Sequence, residues 1–317
     1  MKTNSLDKNN NLLRSLQDKG VVIALALLIV ALSIASPQFR TFDNFLSLLR
    51  QSAINGLIAF GMTCVILTGG IDLSVGSVLA LTAAIAAYLI KGGMSAGLAM
   101  LIALLIGGIF GLISGVLVTK GRLQPFIATL ITMTVFRGLT MVFTNGKPIS
   151  GLGNSGLIKF IGKGFILKIP FPVIIFLVVF AVLSFLLSKT TFGRRVYATG
   201  SNSTAAKLVG VNIDRTKIYV YVISGVMSAL AGLILISRLN SAQPTLGQGY
   251  ELDAIAAVAL GGTSMNGGRG RIWGTFIGVL IIAVLSNGLN ILGISSYYQS
   301  VVKGIVILIA VLSDRKR

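Results

Sequence analysis

Apolar runs close to twenty residues long recur along this chain, and nothing else in it limits the fold as strongly. A helix needs about 20 apolar residues to cross a hydrocarbon core, and only helices or closed barrels satisfy their backbone polar groups there. The runs cover about 21–36, 52–69, 75–90, 97–118, 125–143, 170–188, 217–237, 251–262, 272–291 and 297–312, the eighth being short for a full crossing. Charged residues make up 11% of the chain, where a soluble domain carries about 25%. The expected architecture is an all-α polytopic membrane protein of about ten transmembrane helices. Residues 21–312 form its single domain, between a cytoplasmic segment at 1–20 and a basic cytoplasmic tail at 313–317.

In a soluble protein the net charge of +19 would invite nucleic acid. Here Lys and Arg sit mainly in loops that flank apolar spans, with no aromatic and basic platform, which argues against nucleic acid. Basic residues mark the cytoplasmic side of a membrane protein. With the N-terminus inside, the basic residues of 1–20, Lys120, Arg122, the 189–217 loop, Arg269, Arg271 and 315–317 share that side. They outnumber those of the opposite loops by about two to one. Both termini and 189–217 are therefore expected in the cytoplasm, and 147–168 outside. The first run, Val21–Ala35, follows Lys2, Lys8, Arg14 and Lys19 but lacks a small-residue cleavage site. It reads as an uncleaved helix rather than a signal peptide.

Histidine is absent and Cys64 is the single cysteine. Disulfides, Cys/His metal sites and Ser/His/Asp triads are thereby excluded. No catalytic residue, metal or bound cofactor is expected. Gly261–Arg271 is glycine-rich but lacks the Lys-Ser/Thr end of a phosphate-binding loop and has no strand before it, so ATP hydrolysis must come from another subunit.

Between Lys189 and Lys217 the apolar pattern breaks into a long basic, polar loop. Ser201 or Asn202 is placed to cap a short helix through Thr204, Ala205, Ala206 and Leu208, and Gly210 to end it. Such a helix between two spans suits docking to a cytosolic partner.

Asp72, Glu251 and Asp253 are the carboxylates near or within spans. Ionisable groups there are costly and face a cavity or a partner. Two readings stand for Asp72 and Glu251: capping of broken helices, where negative charge complements the helix dipole, and contact with a solute. A proton relay is a third, weakened by the lack of any Asp/Glu/His chain across the bilayer. Arg137 and Lys303 are candidates for pairing with a carboxylate or with helix C-terminal carbonyls. Ser74, Asn55, Asn287, Asn290, Tyr297 and Tyr298 offer neutral donors and acceptors for a polar path, the tyrosines serving equally as interfacial anchors.

A weak repeat joins the two halves. Gly70-Ile-Asp-Leu-Ser-Val-Gly76 opens span three and Gly249-Tyr-Glu-Leu-Asp-Ala-Ile255 opens span eight; Arg137-Gly138 lies in span five and Lys303-Gly304 in span ten. Each match is an odd number of spans apart, so spans 2–5 and 7–10 would form an inverted repeat, a common transporter architecture.

These motifs carry a resemblance. Thr68–Ser77, Ser241–Ala257 and Gly261–Gly270 resemble the sugar-importing permeases of bacterial ATP-binding-cassette (ABC) transporters, and the likeness runs from about Val21 to the C-terminus. It implies the ABC importer permease fold in the cytoplasmic membrane and a monosaccharide cargo, ribose first. It implies a second copy of the permease, a cytoplasmic ATPase that uses ATP and magnesium, and an extracytoplasmic sugar-binding protein. Asn202, Ser203, Thr204, Ala205, Ala206, Lys207, Leu208, Gly210, Val211 and Asn212 would then be the coupling helix seated in the ATPase. The competing class is an ion-coupled secondary transporter of a small polar solute, with Asp72, Glu251 and Asp253 as its anionic material.

Overall fold

The computed structural model describes residues 20–152 and 155–314. Apart from Gly20, the expected segment 1–20 lies outside the described residues, as do the last three residues of the basic tail.

The chain is helical almost throughout: α1 (Gly20–Ala35), α2 (Phe42–Leu67), α3 (Val75–Lys91), α4 (Ala96–Thr119), α5 (Pro125–Thr144), α6 (Gly156–Lys163), α7 (Phe171–Lys189), α8 (Thr191–Ser201), α9 (Ser203–Leu208), α10 (Ile213–Leu239), α11 (Tyr250–Leu260), α12 (Ile272–Ile291) and α13 (Ser296–Asp314). Among the described residues, 6 helices are long and apolar enough to cross a membrane: α2, α4, α5, α7, α10 and α12. Apolar helices α1, α3 and α13 are shorter over their described stretches. The ten apolar runs thus become helices of unequal reach. Helix α11, with 11 residues, rises about 16 Å, roughly half a hydrocarbon core.

Burial sorts these helices into layers. Helices α2 and α10 form the centre, 83% and 72% of their most apolar stretches being buried. Around them α4, α5 and α7 keep most of their apolar surface outward, as lipid-facing helices must. Aromatic rings of α2, α7 and α12 stack together, with Phe60, Phe176 and Phe276 in a row whose centroids lie 5.0 and 5.3 Å apart.

Glycine lets α4 press directly on α10. A Cβ at Gly111 would run into the Tyr221 carbonyl, and one at Gly225 into the Gly107 carbonyl. With little hydrophobic drive between helices in lipid, such close backbone approach is what holds them. Helix α3 packs against α4, α5 and α10; helix α11 packs against α12, α13 and α2.

The connections contain short elements of their own. Strands β1 (Ile149–Ser150) and β4 (Ser241–Ala242) pair antiparallel, tying the segment after α5 to the segment after α10. Strands β2 (Phe165–Ile166) and β3 (Ile169–Pro170) form a small hairpin before α7. The 147–168 loop also carries α6, whose Gly162 lies flush on the Ser237–Arg238 backbone of α10.

Candidate functional site

Two half-buried connections, residues 68–74 before α3 and 240–249 before α11, bring the polar groups into the centre. Each turns through glycines with positive φ: Gly69 at 76° in the first, Gly247 at 73° and Gly249 at 82° in the second. Glycine visits that region without strain. The helices they feed begin against each other, since a Cβ on Gly76 would strike the Gly247 carbonyl and lie 2.7 Å from Glu251 Oε2. Two helix N-termini therefore meet inside the protein.

Each N-terminus carries a carboxylate. Asp72, 1% exposed, accepts from the Ser74 N–H (3.0 Å) and the Ser74 hydroxyl (2.6 Å) on Oδ1, and from the Ser224 hydroxyl of α10 (2.7 Å) on Oδ2. It satisfies the backbone just ahead of α3 and ties that end to α10. Next to it, Tyr221 donates to the Ile71 carbonyl (3.2 Å) and Thr129 of α5 to the same oxygen (3.2 Å). Glu251, in the first turn of α11, accepts from the Gly249 N–H at 3.2 Å. Both carboxylates thus serve backbone donors at helix starts, where the dipole favours them.

Asp253 and Lys303 form an ion pair at 2.9 Å that joins α11 to α13. Arg137 has no carboxylate within salt-bridge distance among the described residues. Its Nη1 instead donates to the Pro244 and Leu246 carbonyls, both at 2.8 Å, and so ties α5 to the connection before α11. Lys303 and Arg137 share their place in the sequence pattern but take different partners.

The asparagines do not join this centre. Asn287 exchanges amide hydrogen bonds with Asn44 (2.7 and 3.1 Å), tying α12 to the start of α2. Asn290, Tyr297 and Tyr298 are exposed, and Asn55 is buried in α2.

At the opposite end, the 189–217 loop folds into two helices. Thr190 caps α8 by accepting from the Gly193 N–H at 3.3 Å. Asn202 caps α9 by accepting from the Ala205 N–H at 2.9 Å. Helix α9 closes with the Val211 N–H on the Ala206 carbonyl and the Gly210 N–H on the Lys207 carbonyl, both at 3.0 Å. That bond pair is a Schellman end, with Gly210 at φ 85°. Asn212 then caps α10 through the Arg215 N–H at 3.0 Å. Residues 202–212 are thus a cap, six helical residues, a turn and a second cap, rather than one unbroken helix. Leu208 and Val209 at its tip are 85% and 80% exposed.

Helix α8 was not foreseen from the basic character of 189–195. Its signal was present in the spacing of Phe192, Val196 and Tyr197 and in the Thr190 cap. It lies on the glycine-rich 261–271 segment: Tyr197 donates to the Gly270 carbonyl at 3.0 Å, and Gly200 lies against the Leu67 carbonyl that accepts from the Gly268 N–H at 2.9 Å. Burial raises the Tyr197 phenol above its ordinary value, so it stays a donor at neutral pH.

The family described as "Branched-chain amino acid transport system / permease component" matches residues 44–311. The chain is 57% identical to a ribose import permease protein of Bacillus subtilis, over 95% of this chain and 94% of that protein. It is 54% identical to one of Haemophilus influenzae over 95% and 94%, and 40% identical to a D-allose transport system permease protein of Escherichia coli over 93% and 91%. No solved structure matches it.

Proposed function

The chain belongs to the transport-system permease family, and from that premise we propose that it is the membrane-spanning subunit of an ABC importer that carries ribose into the cytoplasm. The observation that carries this reading is the full-length similarity to ribose import permeases, above half identity over 95% of the chain. The site favours a neutral cargo. Helix N-termini that meet at a binding centre attract anionic groups, but here Asp72 and Glu251 already answer them.

In this reading the chain works as a dimer of two copies in the cytoplasmic membrane, with both termini inside. An ATPase subunit on the cytoplasmic face uses ATP and magnesium, and a sugar-binding protein delivers ribose outside. Residues 202–212 are the coupling element: a capped, rigid stub that presents Leu208 and Val209 to the ATPase. Helix α8 carries its movement to the Leu67 and Gly268 backbone, next to the connection that holds Asp72. The halves α2–α5 and α10–α13 form an inverted repeat. The matched neighbours of α3 and α11 support it, α4, α5 and α10 on one side answering α12, α13 and α2 on the other. Asp72, Ser74, Glu251 and Asp253 border the path between them as helix caps and ties.

The test is uptake of labelled sugars by vesicles that hold the chain with its ATPase, binding protein and ATP. Ribose uptake that needs all of these is expected. Uptake that persists without ATPase and collapses with an uncoupler would overturn the proposal in favour of ion coupling.

A further inference from the structure

A space opens between α3, α5 and the connection that enters α11. A cavity of about 270 Å³ is lined by Ser77 of α3, by Met133, Thr134 and Arg137 of α5, and by Gln248 and Glu251 at the entry to α11. We propose that this cavity is the subsite that holds one monosaccharide during its passage, a proposal that rests on the chain's being a sugar permease.

Size comes first. Pockets for drug-sized ligands run about 300–1,000 Å³, so a cavity of about 270 Å³ matches something smaller, such as one sugar ring with some water. Composition comes next. Five of the six lining side chains are polar, and they offer a carboxylate, a guanidinium, two hydroxyls and an amide. Arg137 is held by two backbone carbonyls through Nη1 alone. Its Nη2 and Nε have no protein acceptor among the described residues, and both are donors. Glu251 takes the Gly249 N–H on Oε1 and makes no ion pair with Arg137 among the described residues. A guanidinium and a carboxylate held in place across a small cavity offer donors to hydroxyl oxygens and an acceptor to hydroxyl protons. Ser77, Thr134 and Gln248 serve either role.

The lining also rejects alternatives. Its charges cancel, so an anion or a cation would leave one of them opposed. No aromatic ring lines the cavity, so a sugar is held by hydrogen bonds alone and leaves readily, as a cargo in transit must.

The test places a reporter in the cavity. Thr134→Cys, in a Cys64→Ala background, is assembled in vesicles with the ATPase and binding protein, and the rate of methanethiosulfonate labelling is measured. D-ribose at millimolar concentration should slow labelling several-fold, and L-leucine should not. Glu251→Gln and Gln248→Ala, each added to the reporter, should raise the ribose concentration for half-protection, Glu251→Gln by roughly tenfold as a charged hydrogen bond becomes neutral. Labelling that ribose leaves unchanged in reporter vesicles, while unmodified vesicles import ribose, would overturn the subsite and spare the function. Equal protection by leucine would overturn the sugar class. Failure of unmodified vesicles to import ribose would remove the function reading and the subsite with it.

Discussion

Asp72 shows what a buried carboxylate does when its partners are backbone and hydroxyl rather than charge. Its three hydrogen bonds come from Ser74 and Ser224. An amide fits the same frame, since Oδ1 still accepts from Ser74 and Nδ2 can donate to the Ser224 hydroxyl. Asp72→Asn should therefore keep most of the uptake and gain no pH dependence. Asp72→Ala strands a buried N–H and two hydroxyls, at about 1–3 kcal/mol for each group that finds no other partner, so its uptake should fall well below that of the amide variant. Equal loss in both, measured as initial uptake rate, would point to a charged role. Asp253 is the contrasting case. Its side chain is 8% exposed and faces Lys303, itself 26% exposed. Lys303→Met removes one partner of a buried pair, a change that costs about 3–5 kcal/mol, with the partial exposure of Lys303 favouring the lower end. Thermal inactivation of the purified chain should shift down accordingly, and adding Asp253→Asn should recover part of the shift. No shift in Lys303→Met would show the pair to be idle. Sequence alone marked all five intramembrane charges (Asp72, Glu251, Asp253, Arg137 and Lys303) as costly, and so worth explaining. It did not assign their partners, because Arg137 is answered by the Pro244 and Leu246 carbonyls, and carbonyls look alike in every sequence.

Among elements, the apolar runs were the legible part. The run at 272–291 and helix α12 coincide, and most others agree within a few residues. Helix α2 is the exception, since it begins at Phe42, well before its apolar run at 52, with Asn44 held by Asn287 and by the Phe39 carbonyl. Periodicity reports burial, not helix length, so a polar first turn is invisible to it. The small helices followed a different signal. The Asn202 cap and Gly210 were legible because turn chemistry is local. The meeting of α3 and α11 was not, because it depends on Gly76 and Gly247, far apart in the chain. Helix α9 yields its own prediction. Ala206 donates to the Asn202 carbonyl at 2.9 Å, so Ala206→Pro removes that bond in a helix too short to absorb the loss, at about 3 kcal/mol. Gly210→Val forces a branched residue into the left-handed region for about 1–2 kcal/mol. Both should insert normally yet lose ATP-driven uptake. Uptake unchanged in Ala206→Pro would sink the coupling assignment.

At the scale of the whole molecule, the arrangement follows from lipid as a solvent. Two deeply buried helices, α2 and α10, are wrapped by helices that show lipid one face, and α4 meets α10 through glycine. The carboxylates Asp72 and Glu251 enter where connections turn inward, and there they answer helix starts beside a small cavity. Such a body has two distinct ends, and their chemistry differs. One end carries α8, α9 and the 261–271 segment with its basic residues. The other carries α6, the β2–β3 hairpin and the β1–β4 pair. In the proposed orientation the first end faces the cytoplasm, in keeping with the positive-inside bias. Lys159 on α6 and Lys207 on α9 are both exposed and mark the two ends. Single cysteines at these positions, in a Cys64→Ser background, should react with a membrane-impermeant thiol reagent from opposite sides of intact cells. Lys159→Cys should label from outside, and Lys207→Cys only after the membrane is opened. Labelling of both from one side would overturn the orientation, and with it the placement of residues 202–212 against an ATPase.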